Sequence, residues 1–325
     1  MGCSHPVLTI KENERIKSIL VTQEIEVSSF VLYSLIETKD FRIAVGDDGG
    51  NISIFSFYEN ERIYKKDIYK EKVHSCVYSL CNLKGNKLVS CGGDDHLIKV
   101  WKLSTVELTL IKEIKAHNDV MYKVIPLSKD RFASCSEDKT VKIWKDDDKY
   151  KLISTLKHDG YVYSIIQLKG KEELVSSYYV HGGNSQSGIA FWELERYKKT
   201  NVINGHYAYF STRMIELPDG NIVLSSSIEP YPIVIIESST YTIKKNVQLE
   251  GCITSHSSLS VLNEHSFIYS YGGSFFQISS ENYSILFKSR GGDFNGVNGI
   301  IPVQDGKYCV IENSKCITIV RLGYF

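Results

Sequence analysis

CGGDDHLIKVWKL, residues 91–103, and CSEDKTVKIWKD, residues 135–146, share one design: a turn of small and acidic residues, then an alternating strand that closes on a tryptophan. Working outward, the same strand end recurs at Phe55, Trp101, Trp144, Trp192, Ile236, Phe276 and Val320, at separations of 46, 43, 48, 44, 40 and 44 residues. Between these markers lie short alternating runs such as NKLVSCGG and DRFASCSE, bounded by turn residues, with no long amphipathic helix. A period of about 40–45 residues suits a unit of four antiparallel strands that can bury its faces only by stacking on copies of itself. The expected fold is all-β: a seven-bladed β-propeller of four-stranded antiparallel blades, with residues 1–325 as a single domain. Only Arg321 to Phe325 follow the last marker, too few for an outer strand, whereas ERIKSILV at 14–21 has strand character. This N-terminal strand is expected to complete the last blade, closing the ring and removing its free edges.

Composition narrows the function classes. Lysine plus arginine equal aspartate plus glutamate at 38 each, so no global field draws the chain to phosphate backbones, and nucleic acid is not an expected partner. With 42% hydrophobic residues the chain is too apolar to be disordered. No run approaches the ~18 apolar residues of a membrane span, so no membrane insertion is expected. The opening MGCSHPVLTIKENER has no apolar core for a secretory signal. A cytoplasmic location is expected, with the nucleus left open. Gly2 and Cys3 invite lipidation, but Pro6 stands where the acylation pattern wants Ser or Thr. Eight scattered cysteines include no CxxC pair and no metal-ligand spacing with histidine. Neither a metal nor a cofactor is expected, and the cysteines read as reduced, several of them packed as small hydrophobes.

Within the quoted repeats, His117, Ser134, Asp138 and Trp144 resemble the buried histidine, hydroxyl, aspartate and tryptophan of the WD-repeat family. The resemblance implies that the four are joined by hydrogen bonds, which a buried carboxylate needs to avoid a large desolvation cost. The preceding repeat keeps His74, Asp95 and Trp101, but counting back from Asp95 puts Cys91 at the hydroxyl position, so its network is expected to be incomplete. The fourth keeps His158 and Trp192 without a clear aspartate, the fifth keeps only His206, and the first, sixth and seventh are degenerate.

The innermost strand of the first four repeats reads VLYSL, VYSL, MYKV and VYSI, setting Tyr33, Tyr78, Tyr122 and Tyr163 at one repeated position. By family geometry that position rims the central channel on the top face, and Leu32, Val77, Met121 and Val162 would point oppositely into the packing. Thr212, Ser257 and Asn298 hold the position in the later repeats. The alternative is that these tyrosines simply pack between neighbouring blades. The fourth repeat is lengthened in SYYVHGGNSQSG, and the fifth carries GHYAYF at 205–210 and Glu229–Pro232. Tyr178, Tyr179, Tyr207, Tyr209 and Tyr231 could extend the patch on those loops. Asp47, Asp94 and Glu137 precede the structural aspartates and would rim the same opening, favouring basic peptides. No arginine occupies the repeated tyrosine position, so an arginine-cluster phosphopeptide clamp is not expected. The string Lys288 to Gly292 lacks the arginine pair of the family's lipid-docking signature.

These residues point to a non-catalytic protein- or peptide-binding scaffold, a monomeric ring serving as a subunit or adaptor of a hetero-complex. The competing class is an enzyme with a site at the channel. Against it, His74, His117, His158 and His206 are absorbed by the repeat, and the loop histidines His96 and His181 come with no activated nucleophile or paired carboxylates.

Overall fold

In the computed structural model, the described residues are 16, 18–58, 63–181, 186–205, 213–225, 232–249, 257–271, 274–289, 297–303, 308–313 and 315–323. They form seven four-stranded antiparallel sheets and no helix. Each sheet is a blade whose innermost strand comes first in sequence, except that the last blade takes its outer strand from the N-terminus. The inner strands are Leu32–Glu37, Val77–Leu83, Met121–Leu127, Tyr161–Gln167, Met214–Glu216, Ser257–Asn263 and Val297–Val303. Each touches the next, and the last touches the first, so the blades close a ring. The closing strand Ser18–Glu26 runs antiparallel to Cys316–Gly323, from the pair Ser18 and Gly323 to Glu26 and Cys316. Blade 7 is therefore sewn from both ends of the described chain, as the sequence led us to expect.

The core is divided in the way the repeat demands. Seven apolar clusters fill the seven gaps between adjacent blades, each drawing on two blades. The strand-end markers all face the preceding blade: Trp101 packs with Ala44 and Ile54, Trp144 with Val89 and Val100, and Trp192 with Val141 and Ile143. A one-residue slip against the outer strand marks six of the seven positions, as between Ile143 and Trp144. In blade 6 the slip falls between Gln277 and Ile278, so Ile278, not Phe276, is the structural counterpart of the tryptophan. Cys76, Cys81, Cys91, Cys135 and Cys309 are buried free thiols.

Candidate functional site

The buried networks fix the end of the ring on which the site lies. In blade 3, Trp144 Nε1 donates to Ser134 Oγ at 2.9 Å, Ser134 lies 2.7 Å from His117 Nε2, and His117 Nδ1 lies 2.9 Å from Asp138 Oδ2. An indole N–H can only donate, so the serine passes its own proton toward Nε2 and the imidazole donates from Nδ1 to the carboxylate. The imidazole is thus neutral, as its burial also demands, since desolvation draws His117 below its ordinary value against the pull of Asp138. Burial alone would raise the Asp138 carboxyl. The His117 bond, with donors from Thr140 and the Asn118 main chain, instead holds it well below the carboxylate range.

Blade 2 repeats the relay of tryptophan, serine, histidine and aspartate, which corrects the missing hydroxyl expected from the sequence, although Leu97 stands where blade 3 has Thr140. Ser90, not Cys91, supplies the hydroxyl: it lies 2.7 Å from His74 Nε2, accepts from Trp101 Nε1 at 2.8 Å, and His74 Nδ1 lies 2.7 Å from Asp95. The turn is one residue longer through Gly92 and Gly93, shifting the count. Gly92 must be glycine, because a Cβ there would collide with Asp95 and with His74 Nδ1. In blade 4, Ser176 joins His158 and Trp192 at 2.8 and 3.0 Å, and His158 Nδ1 meets the Leu156 carbonyl at 3.2 Å instead of a carboxylate.

These turns between second and third strands lie at the end of the ring where the inner strands begin, since Met121 pairs with Ser136 and Val77 with Gly92. There the strand register slips by one residue in all four tyrosine blades, between Leu32 and Ser34, Val77 and Ser79, Met121 and Lys123, and Val162 and Ser164. The extra residue is the tyrosine each time. A bulge leaves its residue out of the ladder and re-aims its side chain, and here it brings successive rings together. The tilted rings of Tyr33 and Tyr78 lie 4.9 Å apart between centroids, those of Tyr78 and Tyr122 5.7 Å, and those of Tyr122 and Tyr163 4.8 Å, forming one aromatic arc across four blades. Tyr33, Tyr78 and Tyr122 are half-buried, whereas Tyr163, expected on the same face, is 5% exposed and belongs to the packing at the end of the arc. Their neighbours Leu32, Val77, Met121 and Val162 are fully buried.

The hydroxyls of Tyr33, Tyr78 and Tyr122 stay protonated. Burial raises Tyr78 and Tyr122, and burial with the charge of Asp48 raises Tyr33. Tyr122 donates to Glu137, which ties the half-buried Glu137 to the arc, while Asp94 is exposed nearby on its turn. Two other expectations fail. Asp47 does not rim the opening: it is 2% exposed and accepts from the Asn51 main-chain and side-chain N–H groups. Tyr178 is not at the surface either. It is 5% exposed, with its ring 5.5 Å from that of His158. Its neighbour Tyr179 points the other way, half-buried and 4.6 Å from the ring of exposed His181, which also stacks on Tyr161. Tyr207, Tyr209, Tyr231 and His206 lie outside the described residues.

The catalytic alternative gains no geometry. The side chains of His74 and His117 have no exposed surface, and no group of three metal-ligating side chains occurs among the described residues.

Sequence reasoning missed the level directly below the arc. The residues after the bulges are Ser34, Ser79, Lys123, Ser164 and Gly299, with Ser258 and Arg213 at the corresponding pairings in blades 6 and 5, and all but Ser164 line the channel. The signal was available, since the residue after the tyrosine position reads Ser, Ser, Lys, Ser, Arg, Ser, Gly around the ring.

Comparison with known proteins agrees with this geometry. The family model described as "WD domain, G-beta repeat" matches residues 65–102 and 108–145, which end in the third strands of blades 2 and 3. Nuclear distribution protein nudF of Aspergillus flavus is 38% identical over 92 residues, covering 27% of this chain and 20% of that protein. The transcriptional corepressor LEUNIG_HOMOLOG of Arabidopsis thaliana is 27% identical over 242 residues, covering 74% of this chain and 27% of that protein. The chain thus spans between a fifth and a third of the length of these curated relatives. The crystal structure of the WD40 β-propeller domain of Doa1 superposes with a TM-score of 0.75 over 94% of this chain and 97% of that one, at 14% identity, a likeness of fold alone.

Proposed function

We propose that this chain, which belongs to the WD-repeat β-propeller family, is a non-catalytic scaffold that holds a protein or peptide on the tyrosine-bearing end of its ring. The observation that carries the reading is the arc itself: four bulges each take a tyrosine out of the ladder, and three of these rings, Tyr33, Tyr78 and Tyr122, keep exposed surface. A bulge is costly to pairing, and the fully buried residues beside it already serve the core. Tyrosine offers a rigid apolar face and a polar tip at low entropy cost, which suits a binding hot spot.

The acidic groups beside the arc, Asp48, Asp94 and Glu137, favour a basic segment as the partner, through steering and selectivity more than affinity. Tyr179 with His181, and Tyr207, Tyr209 and Tyr231, would widen the contact on blades 4 and 5. Residues 1–325 would act as one unit, a monomeric ring within a cytoplasmic hetero-complex in which another chain supplies any catalysis, with no role for nucleic acid. The relatives are named for nuclear distribution and for transcriptional corepression, and a protein-holding ring suits both.

Affinity capture from the native cell, comparing the wild-type chain with the Tyr33→Ala/Tyr78→Ala/Tyr122→Ala variant, tests the proposal. Proteins retained by the wild type should be lost from the folded variant, at roughly 1 to 3 kcal/mol per ring. Capture that is unchanged in the folded variant would refute the role of the arc.

A further inference from the structure

Inside the ring, from Tyr33 downward, the inner strands line a cavity of about 480 Å³, within the usual size of small-molecule sites. Its upper belt is built to one rule. The side chain after each bulge serves the neighbouring blade, whose inner strand has an unpaired edge: Ser34 Oγ accepts from the Leu80 main-chain N–H at 2.8 Å and Ser79 Oγ from that of Val124 at 3.2 Å. Short hydroxyls satisfy that rule. Blades 3 and 5 break it with Lys123 and Arg213, both facing the cavity.

Blade 7 breaks it differently. Its belt residue is Gly299, and the residue paired with it on the second strand is Glu312, where the other blades have Gly46, Cys91, Cys135, Ser177, Ser225 and Ser270. A Cβ on Gly299 would collide with the Glu312 carboxylate, so the glutamate occupies the space that the glycine leaves. Glu312 has no exposed surface, lines the cavity, and neither of its carboxylate oxygens has a hydrogen-bond partner among the described residues. Two cations and one unsatisfied carboxyl group thus sit at a single level of an otherwise serine-lined belt. Of the three, Glu312 is the one whose side-chain polar atoms are left unsatisfied, while Lys123 also reaches the neighbouring blade through Ser164.

We infer that this belt is a binding site for a small oxyanion, a carboxylate or tetrahedral phosphate-like group, held by Lys123 and Arg213 with Glu312 completing the shell. The protonation states suit that ligand. Burial lowers Lys123 to about 8, with the charge of Arg213 adding to the effect, and burial raises Glu312 to about 8 against the pull of Arg213. Lys123 and Arg213 keep some exposed surface toward the channel, but the walls strip most of their water. Below pH 8 the belt therefore carries two cations and a protonated carboxyl group able to donate to an anion oxygen. Above pH 8 the lysine loses its charge and the glutamate gains one, so the belt falls by two charges and an anion is expelled. Lys123 Nζ donates to Ser164 Oγ at 3.2 Å, which aims it along the belt. The remaining charged group lining the cavity, Glu37, ends its strand at the opposite mouth.

Isothermal titration of sulfate and of malonate into the full chain, at constant ionic strength, tests this inference and separates tetrahedral from planar oxyanions. Saturable binding of at least one anion is expected at pH 6.5, weakened tenfold or more by Lys123→Met or Arg213→Gln and unchanged by Lys84→Ala on the outer surface. Sulfate does not titrate in this range, so if it is the anion bound, its affinity should fall by at least tenfold between pH 6.5 and 9, and by less in Glu312→Gln. No saturable heat with either anion, or equal binding in the folded Lys123 and Arg213 variants, would overturn the site. If neither substitution folds, wild-type anion affinity that is flat from pH 6.5 to 9 would do so. The titration uses no protein partner, so its outcome is independent of the tyrosine capture experiment.

Discussion

In blade 3 the buried imidazole of His117 donates to the carboxylate of Asp138, whereas in blade 4 that of His158 reaches only the Leu156 carbonyl. The rest of the relay is the same in both: tryptophan to serine to histidine, at 2.9 and 2.7 Å in blade 3 and 3.0 and 2.8 Å in blade 4. Blade 4 sets the ring of Tyr178 against the histidine and still pairs its second and third strands without a slip. The constant part of the fastening is therefore the neutral relay under the tryptophan, and the aspartate is an added clamp on the turn. The pKa of His158 makes the same point: with no carboxylate to oppose burial, it falls to about 3.

The largest effect should be blind to this difference. Trp144→Ala and Trp192→Ala, at 4% and 5% exposure in their inter-blade cores, should each cost about 3 to 5 kcal/mol in denaturant unfolding. Unequal losses would mean that the carboxylate, and not packing, dominates the blade. Next come Asp138→Ala and Asp95→Ala, each expected to cost about 1 to 3 kcal/mol by leaving buried donors unpaired. Asp95→Ala should cost the less of the two, because Asp138 also holds the Thr140 hydroxyl where blade 2 has Leu97. An unchanged unfolding midpoint for Asp138→Ala would contradict the clamp.

Acid should then separate the blades. The folded His158 titrates near 3 against an ordinary value of 6.5, so the unfolded chain takes up its proton first. Stability linked to this group is complete above pH 6.5 and is lost as pH falls toward 3. His158→Gln should flatten the stability profile between pH 6.5 and 4 by up to about one proton, and an unaltered slope would show that His158 is not held neutral. Smallest of all, Lys84→Ala removes an exposed pair with Asp130 and should leave the unfolding midpoint in place.

The blade count, the ring closure and the blade 3 network were legible because each rests on a periodicity of side chains. What was misread lies where the backbone adds a residue that periodicity cannot show. The extra turn residue at Gly92 and Gly93 hid Ser90, and the slip at Ile278 moved the blade 6 marker from Phe276. Tyr178 and Tyr179 are adjacent, so strand alternation had to bury one of them, and sequence alone did not say which. The oxyanion belt was missed for another reason: Lys123, Arg213 and Glu312 are distant in sequence and meet only once the inner strands are aligned around the ring.

The separation between rim and core decides the account. On the protein samples used for capture, the unfolding free energy of Tyr33→Ala/Tyr78→Ala/Tyr122→Ala should be compared with that of Met121→Ala, whose fully buried side chain neighbours Tyr122. The methionine variant should lose about 2 to 5 kcal/mol, while the triple variant keeps its fold and most of its stability. If each tyrosine costs the ring as much as Met121 does, the arc is part of the core and the proposed binding face does not exist.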